Sequence, residues 1–256
     1  MTATAIVLAG ERPGGDPFAR ARGVTAKALI PVAGEAMVSR VARALADHPG
    51  IGRIVVVAQD FEALQDDPAC AWMTSDKKIA FARSRATIAA TIEQLIDQGS
   101  APMLVTTADN ALLTRAMVDH FLATARTHDL GIAMVERRTL LSAYPLSQRS
   151  WLKFRGGAWS GANLFWIGGE AVLPLIANWR AVEQDRKKGW RVISAFGPGI
   201  LLAAVLRLVT LPGAIARIGR RHGIDAKLVS MPQPEACIDV DKPADLALAE
   251  AILAAR

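Results

Sequence analysis

The fold is decided by the stretch AIVLAGERPGGDPFARARGVTAKALIPVAGEAMVSRV, residues 5–41. It starts with a continuous apolar run, Ala5 to Ala9, which is typical of a strand covered on both faces. A loop rich in glycine and arginine follows and leads to Lys27. Backbone N–H groups beside glycines, together with cationic side chains, are suited to hold phosphate. A solvated surface loop is the alternative, and the loop matches neither the Walker A pattern nor G-x-G-x-x-G.

The next part of the chain alternates between strand and helix patterns. Apolar runs of the strand type are RIVVVAQ at 53–59, PMLVTTADN at 102–110 and LGIAMVER at 130–137. Amphipathic helix patterns separate these runs. Such alternation predicts βαβ units. We therefore expect an α/β fold of the three-layer, Rossmann-like class, with a mainly parallel sheet flanked by helices.

The second half departs from this alternation. We expect a hairpin in SWLKFRGGAWSGANLFWIG, residues 150–168, and a strand in KLVSMP, residues 227–232. Between them, from about 170 to 221, the pattern is helical, basic and apolar. No long linker interrupts the chain, so we expect a single domain over 1–256 with a helical elaboration at about 170–221.

Composition limits the classes of protein to consider. Apolar residues make up 52% of the 256 residues and charged residues 21%, which predicts a folded chain. The formal net charge of +6 favours an anionic partner. Two cysteines are too few for a disulfide framework or a zinc cluster. The N-terminus has no signal-peptide pattern, and we expect a cytoplasmic location.

Carboxylates follow two of the strand patterns. Asp109 ends an apolar run, where it could meet Mg²⁺ beside a bound phosphate, although it could also cap the next helix. Asp239 and Asp241 follow a strand-like stretch, and alternation would place both on one side if the strand continued. Capping by Asp241 is the alternative there. Two carboxylate sites opposite a basic glycine loop predict a magnesium–nucleotide site.

These motifs resemble the nucleotidyltransferases with a GT-A-like Rossmann fold. This group includes the molybdenum cofactor guanylyltransferase and the sugar-phosphate, polyol-phosphate and methylerythritol-phosphate nucleotidyltransferases. The resemblance lies in the opening stretch, in VTTADN at 105–110, and in IDVDKPADLALAEAIL at 238–253, which is similar to the closing motif D-x-D-x-P-x-D-L. One departure is Glu11, which stands where the family usually has glycine.

The resemblance implies a site. Catalysis would fall to Lys27 and an arginine of the loop, with Arg12 ranked before Arg20 and Arg22. The implied nucleotide-binding residues are Leu8, Ala9, Gly10, Arg12, Lys27, Ser84 and Thr87. The implied acceptor-binding residues are Gly161 and Asn163, and the implied metal ligands for Mg²⁺ are Asp109, Asp239 and Asp241. Helix capping is the alternative for Ser84 and Thr87, and a tight hairpin is the alternative for Gly161 and Asn163.

The implied reaction is attack of an acceptor phosphate oxygen on the α-phosphorus of a nucleoside triphosphate, with release of pyrophosphate. CTP ranks before GTP as donor, a sugar or polyol phosphate is the expected acceptor, and nucleic acid is not an expected partner. One alternative is a GT-A glycosyltransferase that uses a nucleotide sugar. Another is a non-catalytic nucleotide-binding or membrane-binding module with a decayed site, which Glu11 would support.

The basic and apolar segment at 179–221 has no assigned counterpart in compact members of that group. It combines Trp179 and Trp190 with a cluster of cations and a long apolar run. This pattern is typical of helices at a membrane surface, so peripheral contact with a membrane is one prediction. A buried helix pair or a homodimer interface is the alternative.

Overall fold

The computed structural model describes residues 2–11, 14–183 and 206–256. The strands are β1 Ala3–Leu8, β2 Pro31–Val32, β3 Glu35–Ala36, β4 Ile51–Ala58, β5 Ile79–Arg83, β6 Met103–Thr107, β7 Leu130–Glu136, β8 Leu152–Phe154, β9 Gly157–Ile167 and β10 Ala226–Ser230. The α-helices are α1 Pro17–Ala21, α2 Met37–Ala46, α3 Phe61–Gln65, α4 Ala71–Ser75, α5 Ile88–Asp97, α6 Arg115–Ala125, α7 Arg137–Ala143, α8 Leu173–Glu183, α9 Leu211–Arg221 and α10 Pro243–Ala254. Short 3₁₀ turns lie at Lys27–Leu29, Pro68–Cys70, Glu170–Val172 and Pro234–Cys237.

Eight strands of the described residues form one sheet, in the order β10-β7-β9-β6-β1-β4-β5, with β8 paired to β9. Neighbours are parallel from β6 through β1 and β4 to β5, and again between β10 and β7. Strand β9 runs antiparallel to both β6 and β7. The predicted α/β, Rossmann-like class with a mainly parallel sheet is confirmed.

Helices cover both faces of the sheet. In β1, Ala5, Ile6 and Val7 are completely buried, as the continuous apolar run predicts. Ala5 and Val7 pack on the side that holds α2 and α6, whereas Ile6 packs on the side that holds α5 and α9. Alternate side chains of one strand therefore pack into two cores, one on each face of the sheet, and the sheet forms the middle of three layers.

The predicted hairpin is present, since β8 and β9 pair in antiparallel register on either side of Gly156. The strand-like continuation expected at Asp239 and Asp241 is wrong. Residues 238–241 form no strand; instead they follow the turn Pro234–Cys237, and the Val240 N–H donates to the carbonyl of Asp109 at 3.0 Å. The backbone is thus held by one neighbouring loop rather than by a strand ladder.

Two helices, α8 and α9, lie at the two ends of the range predicted as a helical elaboration, which itself stays a prediction. The part at 184–205, with Trp190, lies outside the described residues. Among the helices that the structure describes, none is long and apolar enough to cross a bilayer.

The close packing of β7 can be tested with one methyl group. A Cβ on Gly131 would lie 2.7 Å from the Cβ of Ala125 and 3.1 Å from that of Trp166. We expect Gly131→Ala to lower the free energy of unfolding by about 1–3 kcal/mol, the usual cost of overpacking. The matched control is Gly161→Ala in β9, where a Cβ would meet nothing within 4 Å. Denaturant unfolding measures both, and equal stability of the two variants would contradict the packing described.

Candidate active site

The loops that follow β1 and β6 lie side by side at the carboxyl edge of the sheet. The Ala108 N–H donates to the Leu8 carbonyl at 2.9 Å, and the Ala9 N–H donates to the Val57 carbonyl at 2.8 Å. These bonds extend the parallel pairing just beyond the strands. Leu8, which ends β1, and Ala9, which begins the glycine loop, are two of the predicted nucleotide-binding residues and lie at the edge where ligands bind in such sheets.

Lys27 stands at the far end of the same loop and reaches two carboxylates. Its Nζ lies 3.0 Å from Asp109 Oδ2 and 2.5 Å from Asp241 Oδ1. Burial of the ammonium lowers its pKa, but Asp109 and Asp241 together more than offset this effect, and the pKa of Lys27 is raised above its ordinary value of 10.5. Lys27 is therefore a fixed cation at neutral pH.

Three predicted metal ligands come together. One carboxylate oxygen from each of Asp109, Asp239 and Asp241 lies within 4.8 Å of the others. Asp109 Oδ1 accepts a hydrogen bond from Thr107 Oγ1 at 2.5 Å. Hard oxygen ligands at this spacing suit a divalent cation such as Mg²⁺.

The capping alternatives for these aspartates are wrong. Helix α6 is capped by Thr114, whose hydroxyl accepts from the Met117 N–H, and not by Asp109. Helix α10 has Lys242 at its N-cap position, with no side-chain cap. Asp109 and Asp241 are thus not used in capping these helices.

Glu11 has a defined role in the loop. Its carboxylate accepts a hydrogen bond from the backbone N–H of Lys27. The Gln59 side chain holds the Glu11 backbone at both ends: Oε1 accepts from the Glu11 N–H at 2.8 Å, and Nε2 donates to the Glu11 carbonyl at 2.9 Å. A Cβ on Gly10 would lie 2.8 Å from that Oε1, so glycine permits the close approach.

The resemblance offers three loop arginines as catalytic candidates. Arg12 lies outside the described residues. Arg20 donates from Nη1 to the Gly14 carbonyl at 2.7 Å, so it braces its own loop.

Ser84 and Thr87 follow β5, two strands away from β1. The Thr87 hydroxyl caps α5 by accepting from the Ala90 N–H at 3.1 Å, as the capping alternative predicts. The Ser84 N–H donates to the Ala58 carbonyl at 2.9 Å, whereas its buried Oγ has no hydrogen-bond partner among the described residues. The structure therefore does not bring these two side chains into contact with Lys27.

Gly161 and Asn163 lie within β9, beside an irregularity in its pairing with β7, and not in the tight turn of the hairpin. Asn163 has a φ of 48°, in the left-handed region that asparagine tolerates better than most residues. Between them, the Ala162 carbonyl accepts from Asn110 Nδ2 at 3.3 Å. This bond ties the strand to the loop that carries Asp109.

Sequence reasoning missed several residues around the carboxylates. Asn110 and Thr107 were within the quoted motif, and their position beside Asp109 was the available signal. Gln59 follows β4 directly, at the same sheet edge. Arg149, between α7 and β8, forms an ion pair with Asp239 and belongs to no recognisable motif.

Comparisons with known proteins agree with this geometry. The sequence model of the MobA-like NTP transferase domain matches residues 5–195. A solved structure from Thermus thermophilus, described as a hypothetical transferase, is 27% identical with a TM-score of 0.78, over 96% of this chain and 100% of that chain. No curated protein matches the chain.

Two more distant structures share the fold. The 2-C-methyl-D-erythritol 4-phosphate cytidylyltransferase from Thermus thermophilus is 16% identical, with a TM-score of 0.51 over 98% of both chains. A CMP:2-keto-3-deoxy-manno-octonic acid synthetase complexed with CTP is 14% identical, with a TM-score of 0.60 over 100% of this chain and 99% of that one. Since the family match covers most of the chain, including the glycine loop and Asp109, the chain belongs to the MobA-like NTP transferase family and is a nucleotidyltransferase.

Proposed function

We propose that the protein transfers a nucleoside monophosphate from a magnesium-bound triphosphate, CTP before GTP, to a sugar or polyol phosphate. The observation that carries this proposal is the ammonium of Lys27, held between Asp109 and Asp241 at the end of the glycine loop. Cytidine is favoured because one structural relative is a cytidylyltransferase and another is complexed with CTP. The acceptor class is favoured because the cytidylyltransferase is named for a phosphorylated polyol.

The reaction needs positioning and charge more than covalent chemistry. An acceptor phosphate oxygen forms a bond to the α-phosphorus, the bond from that phosphorus to the β-phosphate oxygen breaks, and pyrophosphate leaves. Lys27 would donate hydrogen bonds to phosphate oxygens as negative charge moves toward the leaving group. The Gly161–Asn163 part of β9, tied to the Asp109 loop, would line the acceptor side.

Asp109 would hold the metal with Asp241 or Asp239, since all three present carboxylate oxygens at the spacing described. Asp241 ranks before Asp239, because Asp239 is already paired with Arg149. A bound Mg²⁺ would neutralise charge on the triphosphate oxygens. Lys27 contacts Asp109 and Asp241, so the ammonium and a divalent cation compete for them. A triphosphate that draws Lys27 onto its own oxygens would free both carboxylates. We therefore propose that metal and nucleotide bind together.

The alternative of a decayed site loses its main support. Glu11 is used within the loop, because its carboxylate accepts the Lys27 backbone N–H. A glycosyltransferase that uses a nucleotide sugar has no need of a lysine at a triphosphate, and Lys27 therefore disfavours that alternative as well.

Membrane or dimer contact through 179–221, and a cytoplasmic location, stay predictions. In the described part of that segment, Leu206 and Leu208 are exposed on either side of Arg207. Exposed leucines flanking a cation are compatible with contact to an anionic lipid surface, and equally with a second copy of the chain.

Nucleotide binding is tested by thermal unfolding with CTP, GTP, ATP and UTP, each with and without Mg²⁺. We expect CTP with Mg²⁺ to give the largest rise in Tm, since a ligand at 100 times its Kd stabilises a fold by about 2.7 kcal/mol. Asp109→Asn is the control, and in this variant the part of the Tm rise that depends on Mg²⁺ should be lost. If no triphosphate shifts the Tm, the proposed function is wrong; if GTP exceeds CTP, only the preferred base is wrong.

The role of Lys27 is tested by pyrophosphate release from the stabilising triphosphate in a panel of sugar and polyol phosphates. We expect Lys27→Ala to lower kcat by about 10²–10³-fold, the usual cost of removing one donor to developing charge. Lys27→Arg keeps the cation and should recover part of the rate. Lys227→Ala, at an exposed position in β10, is the matched control. Turnover by Lys27→Ala at the wild-type rate would exclude Lys27 from the chemistry.

The role of Glu11 is tested by a pair of substitutions. Glu11→Ala removes the acceptor for the Lys27 N–H, and we expect the KM for the triphosphate to rise about 5- to 10-fold, as for loss of one hydrogen bond. Glu11→Gln keeps an oxygen at the same place and should stay close to wild type. Steady-state kinetics measures both. A lower KM in Glu11→Ala would instead identify Glu11 as a repulsive charge at a decayed site.

A further inference from the structure

Arg149 lies beside the carboxylate cluster, on the loop between α7 and β8. Its side chain is 13% exposed and forms an ion pair with Asp239, whose side chain is 19% exposed. Its Nη1 also lies 3.5 Å from the Asp239 carbonyl and 3.9 Å from Asp245 Oδ1. The guanidinium is thus surrounded by one backbone and two side-chain acceptors of a single segment, 239–245.

The charges around the site divide into two groups. Lys27 contacts Asp109 and Asp241, whereas Arg149 contacts Asp239 and Asp245. Asp241 is the exposed member, at 57%, and Asp245 is 10% exposed. The two cations leave two formal negative charges on the four carboxylates.

The segment from Asp239 to Lys242 has no regular structure of its own to fix Asp241. It is anchored by the Val240 N–H on the Asp109 carbonyl and by the Asp241 N–H, which donates to Asp245 Oδ2 at 3.3 Å. Arg149 contacts the residue at each end of 239–245. Asp241 therefore lies between two residues, Asp239 and Asp245 of the first turn of α10, that share one half-buried cation.

We propose that Arg149 is a positioning residue for the metal site: it pairs with Asp239 and Asp245, and thereby fixes the loop that presents Asp241 to Asp109 and Lys27. This inference rests on the proposed function, in which Asp241 is a metal ligand. In the contacts described, Arg149 touches Asp239 but neither Asp109 nor Asp241, so it acts on the two proposed ligands through the segment it holds.

The sign of the effect separates positioning from simple electrostatics. Arg149 is a cation close to a cation-binding site, so removal of its charge alone would strengthen metal binding. Loss of positioning would weaken metal binding, because residues that orient ligands typically contribute about 10- to 100-fold in affinity. The two roles thus predict opposite changes in one measurement.

The experiment is a Tb³⁺ luminescence titration of the nucleotide-free, full-length protein, with the fold of each variant checked by circular dichroism. Tb³⁺ is an oxygen-seeking ion with enough charge to displace Lys27 from the carboxylates. Asp109→Asn and Asp241→Asn define the part of the signal that belongs to the site. Arg138→Met is the matched control, because Arg138 is an exposed arginine that pairs with Glu136 away from the cluster.

We expect Arg149→Met to weaken Tb³⁺ binding about tenfold or more. Arg149→Lys keeps the charge but lacks the planar guanidinium that reaches several acceptors at once. We therefore expect an intermediate decrease in Tb³⁺ affinity, about threefold. Unchanged or tighter binding in Arg149→Met would overturn the proposal. If Arg149→Met does not fold, Arg149→Lys carries the test, and wild-type affinity in that variant would overturn it.

Failure of the proposed function would be distinct. If Asp241→Asn leaves Tb³⁺ binding unchanged, the proposed metal site is wrong and the inference fails with it. If Asp241→Asn weakens Tb³⁺ binding but neither Arg149 variant does, the metal site is supported and only the positioning role is wrong.

Discussion

The site depends on one ion cluster, in which a single ammonium is shared by two carboxylates from distant parts of the chain. Lys27 is separated from Asp109 by 82 residues and from Asp241 by 214. The parallel sheet makes this meeting possible, because the strands β1 and β6 end at the same edge, where the Ala108 N–H just after β6 donates to the Leu8 carbonyl at the end of β1. Asp241, the third member of the cluster, does not follow a strand. It lies on a loop whose Val240 N–H donates to the Asp109 carbonyl.

This cluster also limits how a substrate can bind. A triphosphate approaching Asp109 and Asp241 alone would be repelled, and a divalent cation approaching Lys27 alone would be repelled as well. In the proposed reaction each would remove the obstacle to the other, since phosphate would attract the ammonium and the metal would neutralise the carboxylates. The formal net charge of +6 for the whole chain adds a general attraction for polyanions. Binding of the triphosphate and of the divalent cation would therefore depend on the charges of this cluster more than on the net charge of the chain.

Most of the sheet could be predicted from sequence, because it follows from local signals. The meeting of the three aspartates could be predicted as well, but on the resemblance of their motifs to a known family. Continuous apolar runs identify strands covered on both faces, and polar residues at their ends mark the carboxyl edge. The strand expected at 238–241 failed, since alternation over four residues cannot reveal that the Asp109 carbonyl takes the Val240 N–H. Arg149 could not be predicted at all, because its partners are about 90 residues away. Thr87 shows a different limit: a hydroxyl before a helix fits both a ligand contact and a cap, and only geometry separates them.

The departure at Glu11 shows how a loop can replace backbone freedom with side-chain contacts. A glycine at this position would allow many conformations but would leave the Lys27 N–H without this acceptor. Glu11 supplies the acceptor, and Gln59 fixes Glu11 by bonding its N–H and its carbonyl. Glycine at position 10 leaves room for the Gln59 amide, since a Cβ there would lie 2.8 Å from its Oε1 and would push the amide aside. The three residues therefore form one unit, and a change at any of them is felt at the backbone that carries Lys27.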